Sequence, residues 1–519
     1  MKISKLTSAL LLGSLSALSL SSCSSTEVIT PKLKVATPAV AAETLDKSEY
    51  DERYSAMAQS VPESYKALRF EDLNWSAPKA EAYRNELNKT TTLYTVEDKS
   101  LPWVHFKMVF KEQGSDKESV GPAVLLSTML NEGGILGELT PQQLTDSLEM
   151  AAASVSISTG DKFSSLKISC MPNQLEELLD LGVKMIQKPG FDTTELVRAK
   201  QRSLNSIQHK YDRPGGISSQ LFSKVMYGTH TKAWRAKASE VSDVTVKQLQ
   251  AYLKTRFDSE KIVIGISGDF DKAVISQKLS KLSSHWRGAK KGNFDSSQAS
   301  VVAKPGAWIV DKESAQTHIK IAQSFVKRPN PDYYKVSLAS WILGGGGFGT
   351  RLVNKIRTQE GLAYSVRAFG QSSYHDQGAT GVLLQTKSES TVKALELVFS
   401  EIKKMIEEGP SDAEMAKAKA SLVQSLPSLF DKSSSTMGTW VQADLWDRND
   451  NHFDVYPELI DKITKEDVVE MLKKYFTPEQ MSVTLVGPKE AILEQDKNGI
   501  LTQLGGLVEL SLEDIEKRK

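Results

Sequence analysis

Two cysteines, Cys23 and Cys170, in a chain of 519 residues leave no basis for a disulfide framework. Histidine is sparse as well. No two of the seven (His105, His209, His230, His285, His318, His375 and His452) lie three to five positions apart, so no helix carries the paired imidazoles that commonly hold zinc. Charge of one sign is missing too. Lys plus Arg number 65 against 64 for Asp plus Glu, giving a formal net charge of +1 without local basic tracts. Bulk electrostatics therefore imply neither nucleic acid nor an anionic surface as partner. There is no G-x-S-x-G, which removes the nucleophile elbow of a serine hydrolase. Past the first 22 residues, no apolar run approaches the ~20 residues that a spanning helix needs.

What is present begins at the start of the chain. Lys2 and Lys5 precede an apolar run from Leu6 to Leu20, and the run ends in Leu20-Ser21-Ser22-Cys23. That order is the pattern of a signal peptide, expected over residues 1–22. Its last four residues resemble a bacterial lipobox. The resemblance implies cleavage before Cys23 and acylation of Cys23, so that a lipid is the only tie to the membrane. Ser24 after it points to the outer membrane, facing the periplasm. Residues 23–84 then read as the lipidated cysteine, a tether and a lead-in. Cys170, in the strand-like LKISCMPN, reads as a small core residue.

An internal repeat decides the architecture. VSDVTVKQLQAYLKTRFDSEKIVIGISG (241–268) and IDKITKEDVVEMLKKYFTPEQMSVTLVG (460–487) align without a gap at a constant offset of 219 positions. Thr245, Leu253, Phe257, Glu260 and Gly268 meet Thr464, Leu472, Phe476, Glu479 and Gly487. Each copy opens on a threonine suited to cap a helix, with Gln248 or Asp467 three positions on. Each then runs helix, turn, apolar strand. Two homologous α+β domains in tandem are expected, at 85–290 and 306–495, with a linker at 291–305 and a charged tail at 496–519. Antiparallel sheets with helices packed on one face are expected in both.

The strongest functional signal is GGGGFGTRLVNKIRTQEGLAYSV, Gly344 to Val366. TRLVNKIRTQE has helical composition, Gly361 suits the left-handed position that ends a helix, and LAYSVRAF reads as a strand. Arg357 and Tyr364 thus stand seven positions apart across a helix-to-strand junction. A guanidinium fork and a phenol suit polarising a peptide carbonyl rather than attacking one. Gly344, Gly346 and Gly349 also satisfy G-x-G-x-x-G. The dinucleotide fingerprint needs a strand before it, whereas VSLASWIL reads as the end of an apolar helix. The stretch resembles the C-terminal domain of the M16 (insulinase, pitrilysin) peptidase family, and the similarity extends over about residues 90–490. It implies a LuxS/metallohydrolase-like fold in both domains. It also implies that Arg357 and Tyr364 contact the backbone of a peptide substrate beside a zinc held by another domain.

The same resemblance exposes a gap. Family enzymes carry H-x-x-E-H on the helix that here reads VGPAVLLSTML. Val124 stands at the first ligand, Ser127 at the general base and Thr128 at the second ligand. Ser206 stands at the third, and Ala199 replaces a further acid. Valine offers no lone pair, and hydroxyls bind zinc poorly beside imidazole or carboxylate. By this resemblance the chain holds no catalytic zinc and is the noncatalytic half of a two-chain M16 peptidase acting on unfolded peptides. Its partner would be an H-x-x-E-H subunit that brings the zinc. Two other readings stay open: an M16-fold scaffold without a peptidase role, and an active zinc peptidase with unorthodox ligands.

Overall fold

Thr245 and Thr464 begin their helices by the same chemistry. Thr245 Oγ1 accepts the Gln248 N–H (3.3 Å), and the Gln248 side chain accepts the Thr245 N–H (2.8 Å). Asp467 and Thr464 repeat the exchange at 3.1 and 2.9 Å. These reciprocal caps open the helices Val246–Leu253 and Lys465–Tyr475. Each helix leads to a strand buried along its whole length, Ile262–Gly268 and Ser482–Gly487. Apolar runs such as IVIGISG and SVTLVG suit strands covered on both faces.

The computed structural model describes residues 75–111, 119–257, 259, 261–283 and 299–518, which fall in one unit, Leu73–Lys519. The signal peptide, Cys23, most of the lead-in, Glu260 and His285 lie outside the described residues. The first sheet contains β1 (Arg84–Asn88), β2 (Thr91–Glu97), β3 (Val104–Lys111), β4 (Ser154–Ser158), β5 (Phe163–Cys170) and β6 (Ile262–Gly268). The second contains β7 (Gly306–Asp311), β8 (Gln316–Phe325), β9 (Ala363–Gln371), β10 (Gly378–Lys387), β11 (Ser482–Gly487) and β12 (Leu507–Glu509). Their strand orders are β1-β2-β6-β3-β5-β4 and β12-β7-β11-β8-β10-β9. Apart from the outermost β1 and β12, the sheets correspond strand for strand, in keeping with the repeat.

Antiparallel pairing dominates, but both sheets are mixed. β6 lies parallel to β2, and β11 parallel to β7, because the strand after each capped helix is threaded into the sheet centre. Parallel neighbours require such a crossover. On one face of the first sheet, Leu125, Leu126, Met129 and Leu130 of the helix Val120–Glu132 share a core with Phe106, Met108, Ile264 and Ile266. An equivalent core covers one face of the second sheet. Cys170 belongs to the first core, and burial pushes its thiol up to about 11, which makes it a poor nucleophile.

The expectation of helices on one face is incomplete. The other face of each sheet is covered by a helix from the opposite half. Pro214–Tyr227 lays Ile217 and Leu221 on Val310 and Val486 of the second sheet. Ser433–Leu445 lays Met437, Trp440 and Val441 on Tyr94, Val109 and Val263 of the first. The two helices begin 219 positions apart, so the exchange is itself part of the repeat. Gly265 permits the closest approach. A Cβ there would come within 2.3 Å of Met437 Sδ and 2.7 Å of Val441 Cγ2.

The segment 496–519 is not a bare charged tail. β12 adds to β7 in parallel, and Ile515 of the short helix Leu512–Glu516 is buried against Pro214–Tyr227. Gln220 Nε2 donates to Ile515 O (2.8 Å), and Arg518 pairs with Glu240. Its charged residues hid three buried apolar ones, Leu501, Leu504 and Ile515.

Gly265→Val should overpack this junction and lower stability by about 1–3 kcal/mol. Thermal or denaturant unfolding checks this, and a variant as stable as the parent would contradict the packing described.

Candidate functional site

The glycine run ends one helix and begins the next. Asp332–Ser340 continues into a π-helical turn, Trp341–Gly345. A Cβ at Gly344 would lie 2.9 Å from Ala368 N of β9, and one at Gly346 would lie 2.3 Å from the Trp341 ring. Here glycine is needed for close approach. Gly347 (φ +76°) and Gly349 (φ +84°) then turn the chain through left-handed conformations on either side of Phe348. Thr350 Oγ1 donates to Gly347 O (2.6 Å), and a helical segment starts, becoming π-helical over Val353–Gln359. Single π turns concentrate at functional sites. Gly361 (φ +64°) ends it, as the sequence implied, and β9 comes next.

This path brings Arg357 and Tyr364 together. The Arg357 Cζ lies 4.9 Å from the centre of the Tyr364 ring and 4.6 Å from that of Phe348. A guanidinium held by two aromatic faces is restricted in orientation while keeping its N–H groups as donors. Tyr364 is 82% exposed and Phe348 71% exposed. Tyr364 is also the extra residue of a β-bulge. Ala363 pairs with Thr386 and Ser365 with Gln385, so Tyr364 has no partner across the ladder. Bulges re-aim side chains, and this one presents the phenol outward at an edge strand.

Phe348 is not among the residues that the sequence singles out. Its signal is a large apolar residue between glycines, in a loop too short to bury it. The anchor of the Arg357 helix is also missing from the sequence pattern, since no local motif announces it. Arg351 bonds Glu414 through two parallel contacts, Nε–Oε1 at 2.7 Å and Nη2–Oε2 at 2.8 Å, and donates from Nη2 to Gly409 O (2.9 Å). Glu414 also closes the Ser411 cap of the helix Asp412–Gln424. The Arg351 guanidinium, ahead of the Ser411 hydrogen bonds, holds the Glu414 carboxyl down at about 2.

Of the positions matched to a zinc site, Ser127 is used for structure. Ser127 Oγ accepts the Thr159 N–H and lies against Thr159 Oγ1, both at 2.9 Å. One turn on, Asn131 Nδ2 donates to Ile157 O (2.7 Å) and its Oδ1 accepts the Ile157 N–H (2.8 Å), which fastens the helix Val120–Glu132 to β4. Val124 is 40% exposed. Thr128 is half-buried on the same helix, and Ser206 is exposed on the neighbouring helix Thr193–Gln208. Arg202 pairs with Glu132 between these helices. Ala199 is buried in the apolar core, where an acid would lack solvation. Among the described residues, no group of three His, Cys, Asp or Glu side chains converges. His230 has a structural task, its Nδ1 accepting the Lys232 N–H (3.0 Å) to cap a short turn.

With the geometry in view, comparison with known proteins is direct. Residues 243–422 match the peptidase M16 inactive domain. The match runs from the first capped helix to the helix of Glu414 and includes Arg357 and Tyr364. A Helicobacter pylori protein named as the non-peptidase homolog YmxG is 27% identical over 349 residues, covering 66% of this chain and 79% of that one. A Bacillus subtilis protein named as the uncharacterized zinc protease YmxG is 21% identical over 353 residues, covering 67% and 84%. The crystal structure of a peptidase M16 inactive domain from Pseudomonas fluorescens superposes with a TM-score of 0.68 at 25% identity, over 78% of this chain and 97% of that one. The periplasmic protease PqqL of Escherichia coli shares the fold, with a TM-score of 0.65 at 13% identity, over 86% of this chain and 51% of that one. These descriptions, an inactive domain and a non-peptidase homolog, fit a chain without a catalytic zinc.

Val124→His, Ser127→Glu and Thr128→His combined should leave the protein without stoichiometric zinc, because Ser206 supplies no third ligand, and adding Ser206→Glu should raise the metal content. Metal analysis after dialysis decides it. Separately, the depressed Glu414 carboxyl contributes stability that is complete above its unfolded value of 4.5 and is lost as pH falls towards about 2. Glu414→Gln should flatten the stability profile over that interval, measured as unfolding midpoint against pH.

Proposed function

We propose that this chain is the noncatalytic, substrate-contacting subunit of a two-chain M16 zinc metallopeptidase that acts on unfolded peptides in the bacterial envelope. One juxtaposition carries the reading. The Arg357–Tyr364 pair is assembled, with the phenol exposed and the guanidinium half-buried beneath it, on a chain whose metal positions hold Val124, Ser127, Thr128 and Ser206. A chain used as scaffold alone has no evident use for an exposed phenol set on a bulge beside a clamped guanidinium.

In this reading an H-x-x-E-H subunit brings the zinc and the general base. Arg357 and Tyr364 donate hydrogen bonds to the backbone of the bound peptide, and Phe348 offers an apolar face to its side chains. Peptide carbonyls gain negative charge as they are attacked, so donors already fixed in place cost little reorganisation. Acylated Cys23 would hold the subunit on a membrane, with the outer membrane facing the periplasm as the proposed location. Bulk charge gives no reason to propose a nucleic-acid partner.

Reconstitution tests this. The chain is mixed with the H-x-x-E-H protein encoded nearest to it, and peptide cleavage is measured for each alone and for both. Turnover that requires both proteins is expected. Metal-dependent cleavage by this chain alone would overturn the assignment. In the pair, Tyr364→Phe keeps the ring and removes one donor, and its turnover should fall on the order of 10²-fold. Arg357→Lys keeps the charge and loses the planar fork, and should also lower turnover. Zinc content and association should be unchanged in both variants. Wild-type rates in both would favour the M16-fold scaffold reading.

A further inference from the structure

β9 is an edge strand, and its far end leads into a second feature. A cavity of ≈ 620 Å³ opens between the helix Pro214–Tyr227 and the strands β8, β9 and β10, with Phe369, Gly370 and Gln371 of β9 in its wall. Lys232, Lys320 and Arg328 line it, all half-buried, and no Asp or Glu is among the described residues that form its lining. Lys232 lies 3.6 Å from Asp376, which stands outside the lining. Among the described residues, the Lys320 ammonium has Ser219 Oγ at 3.3 Å and the Phe222 ring at 5.2 Å. Arg328 donates to Ser372 O (2.9 Å) and stacks 4.4 Å from both Tyr333 and Tyr374, while its Nε is buried without a partner. Neither Lys320 nor Arg328 has a salt-bridge partner among the described residues.

Half-buried cations without counter-charges destabilise a fold unless something offsets their lost hydration. Burial lowers the pKa of Lys320, which is the expected sign of an unmet charge. The pattern recurs at the corresponding place of the first sheet. Lys107 of β3 faces Gly265 as Lys320 of β8 faces Thr484, and Thr484 stands 219 positions after Gly265. There Lys107 stands opposite Lys167, a like-charge pair that is unfavourable across strands.

We propose that the cavity of Lys232, Lys320 and Arg328 is a subsite for a peptide carboxylate, supplied by an Asp or Glu side chain or by a C-terminus. The proposal rests on the peptide-binding role assigned to Arg357 and Tyr364. At ~3.3 Å per residue, an extended peptide held at Tyr364 and running along β9 reaches Phe369 after about 17 Å, or about five residues. The bound carboxylate would accept from Lys320 and from the Arg328 fork.

The test uses the full purified chain at low salt. Fluorescence anisotropy measures binding of an unstructured labelled peptide with one Glu, and of its Gln counterpart, each as free acid and as C-terminal amide. The carboxylate-bearing forms should bind about tenfold more tightly than the Gln amide, as expected when a hydrogen bond to a charged group is added. Preference for the Glu amide identifies a side-chain carboxylate, and preference for the Gln free acid identifies the C-terminus. Lys320→Gln, and Lys320→Gln with Arg328→Gln, should reduce the preference to about twofold or less while keeping the affinity for the Gln amide. Equal binding of all four peptides overturns the subsite and leaves peptide binding standing. If no peptide binds, the peptide-binding reading fails, and succinate judges the subsite alone. Succinate should raise the melting temperature of the parent more than that of Lys320→Gln, and equal shifts overturn the subsite.

Discussion

Each half of the chain depends on apolar surface lent by the other. The helix Pro214–Tyr227 covers the second sheet and Ser433–Leu445 covers the first, so neither sheet has both faces buried without its neighbour. Burial of apolar area is the dominant favourable term in folding. Here it is spent across the boundary of the repeat rather than within each copy. The duplicated sequence therefore builds one block, and a hinge between the copies would have to peel Ile217, Leu221, Trp440 and Val441 off their sheets.

The parts of the fold that were legible in the sequence are those set by local chemistry. Thr245 with Gln248 and Thr464 with Asp467 specify helix starts within four residues, and Gly361 specifies a helix end because a Cβ is strained at φ +64°. Cys170 was legible as core from its apolar strand. Pairing decided at long range was not. The insertion of β6 beside β2, the exchange of helices and the capture of Ile515 by Gln220 join residues far apart in the chain, 171 positions for Thr91 and Ile262 and 295 for Gln220 and Ile515, and no periodicity reports them.

The candidate site divides along the same line. Arg357 and Tyr364 could be singled out because they flank one short turn. Phe348 was passed over since its role depends on where Arg357 ends up, and Glu414 because it reaches Arg351 from another helix. Their chemistry differs too. The Arg351–Glu414 pair is bidentate and half-buried, so it holds the helix in place, whereas the guanidinium of Arg357 is held by rings, which leave its N–H groups as donors.

The π-helical turn Val353–Gln359 and the bulge at Tyr364 sit on opposite sides of Gly361, and each adds residues beyond the regular repeat of its element. This makes the junction intolerant of length change in a way that ordinary loops are not. Removing one residue from the helix would tighten it towards α geometry and rotate its C-terminal end by about 100°, carrying Arg357 away from both rings. Removing Tyr364 from β9 would let Ala363 and Ser365 pair consecutively with Thr386 and Gln385, which straightens the strand and takes away the phenol. Homologous chains that use this pair should therefore vary in residue type between Thr350 and Val366 far more readily than in the number of residues.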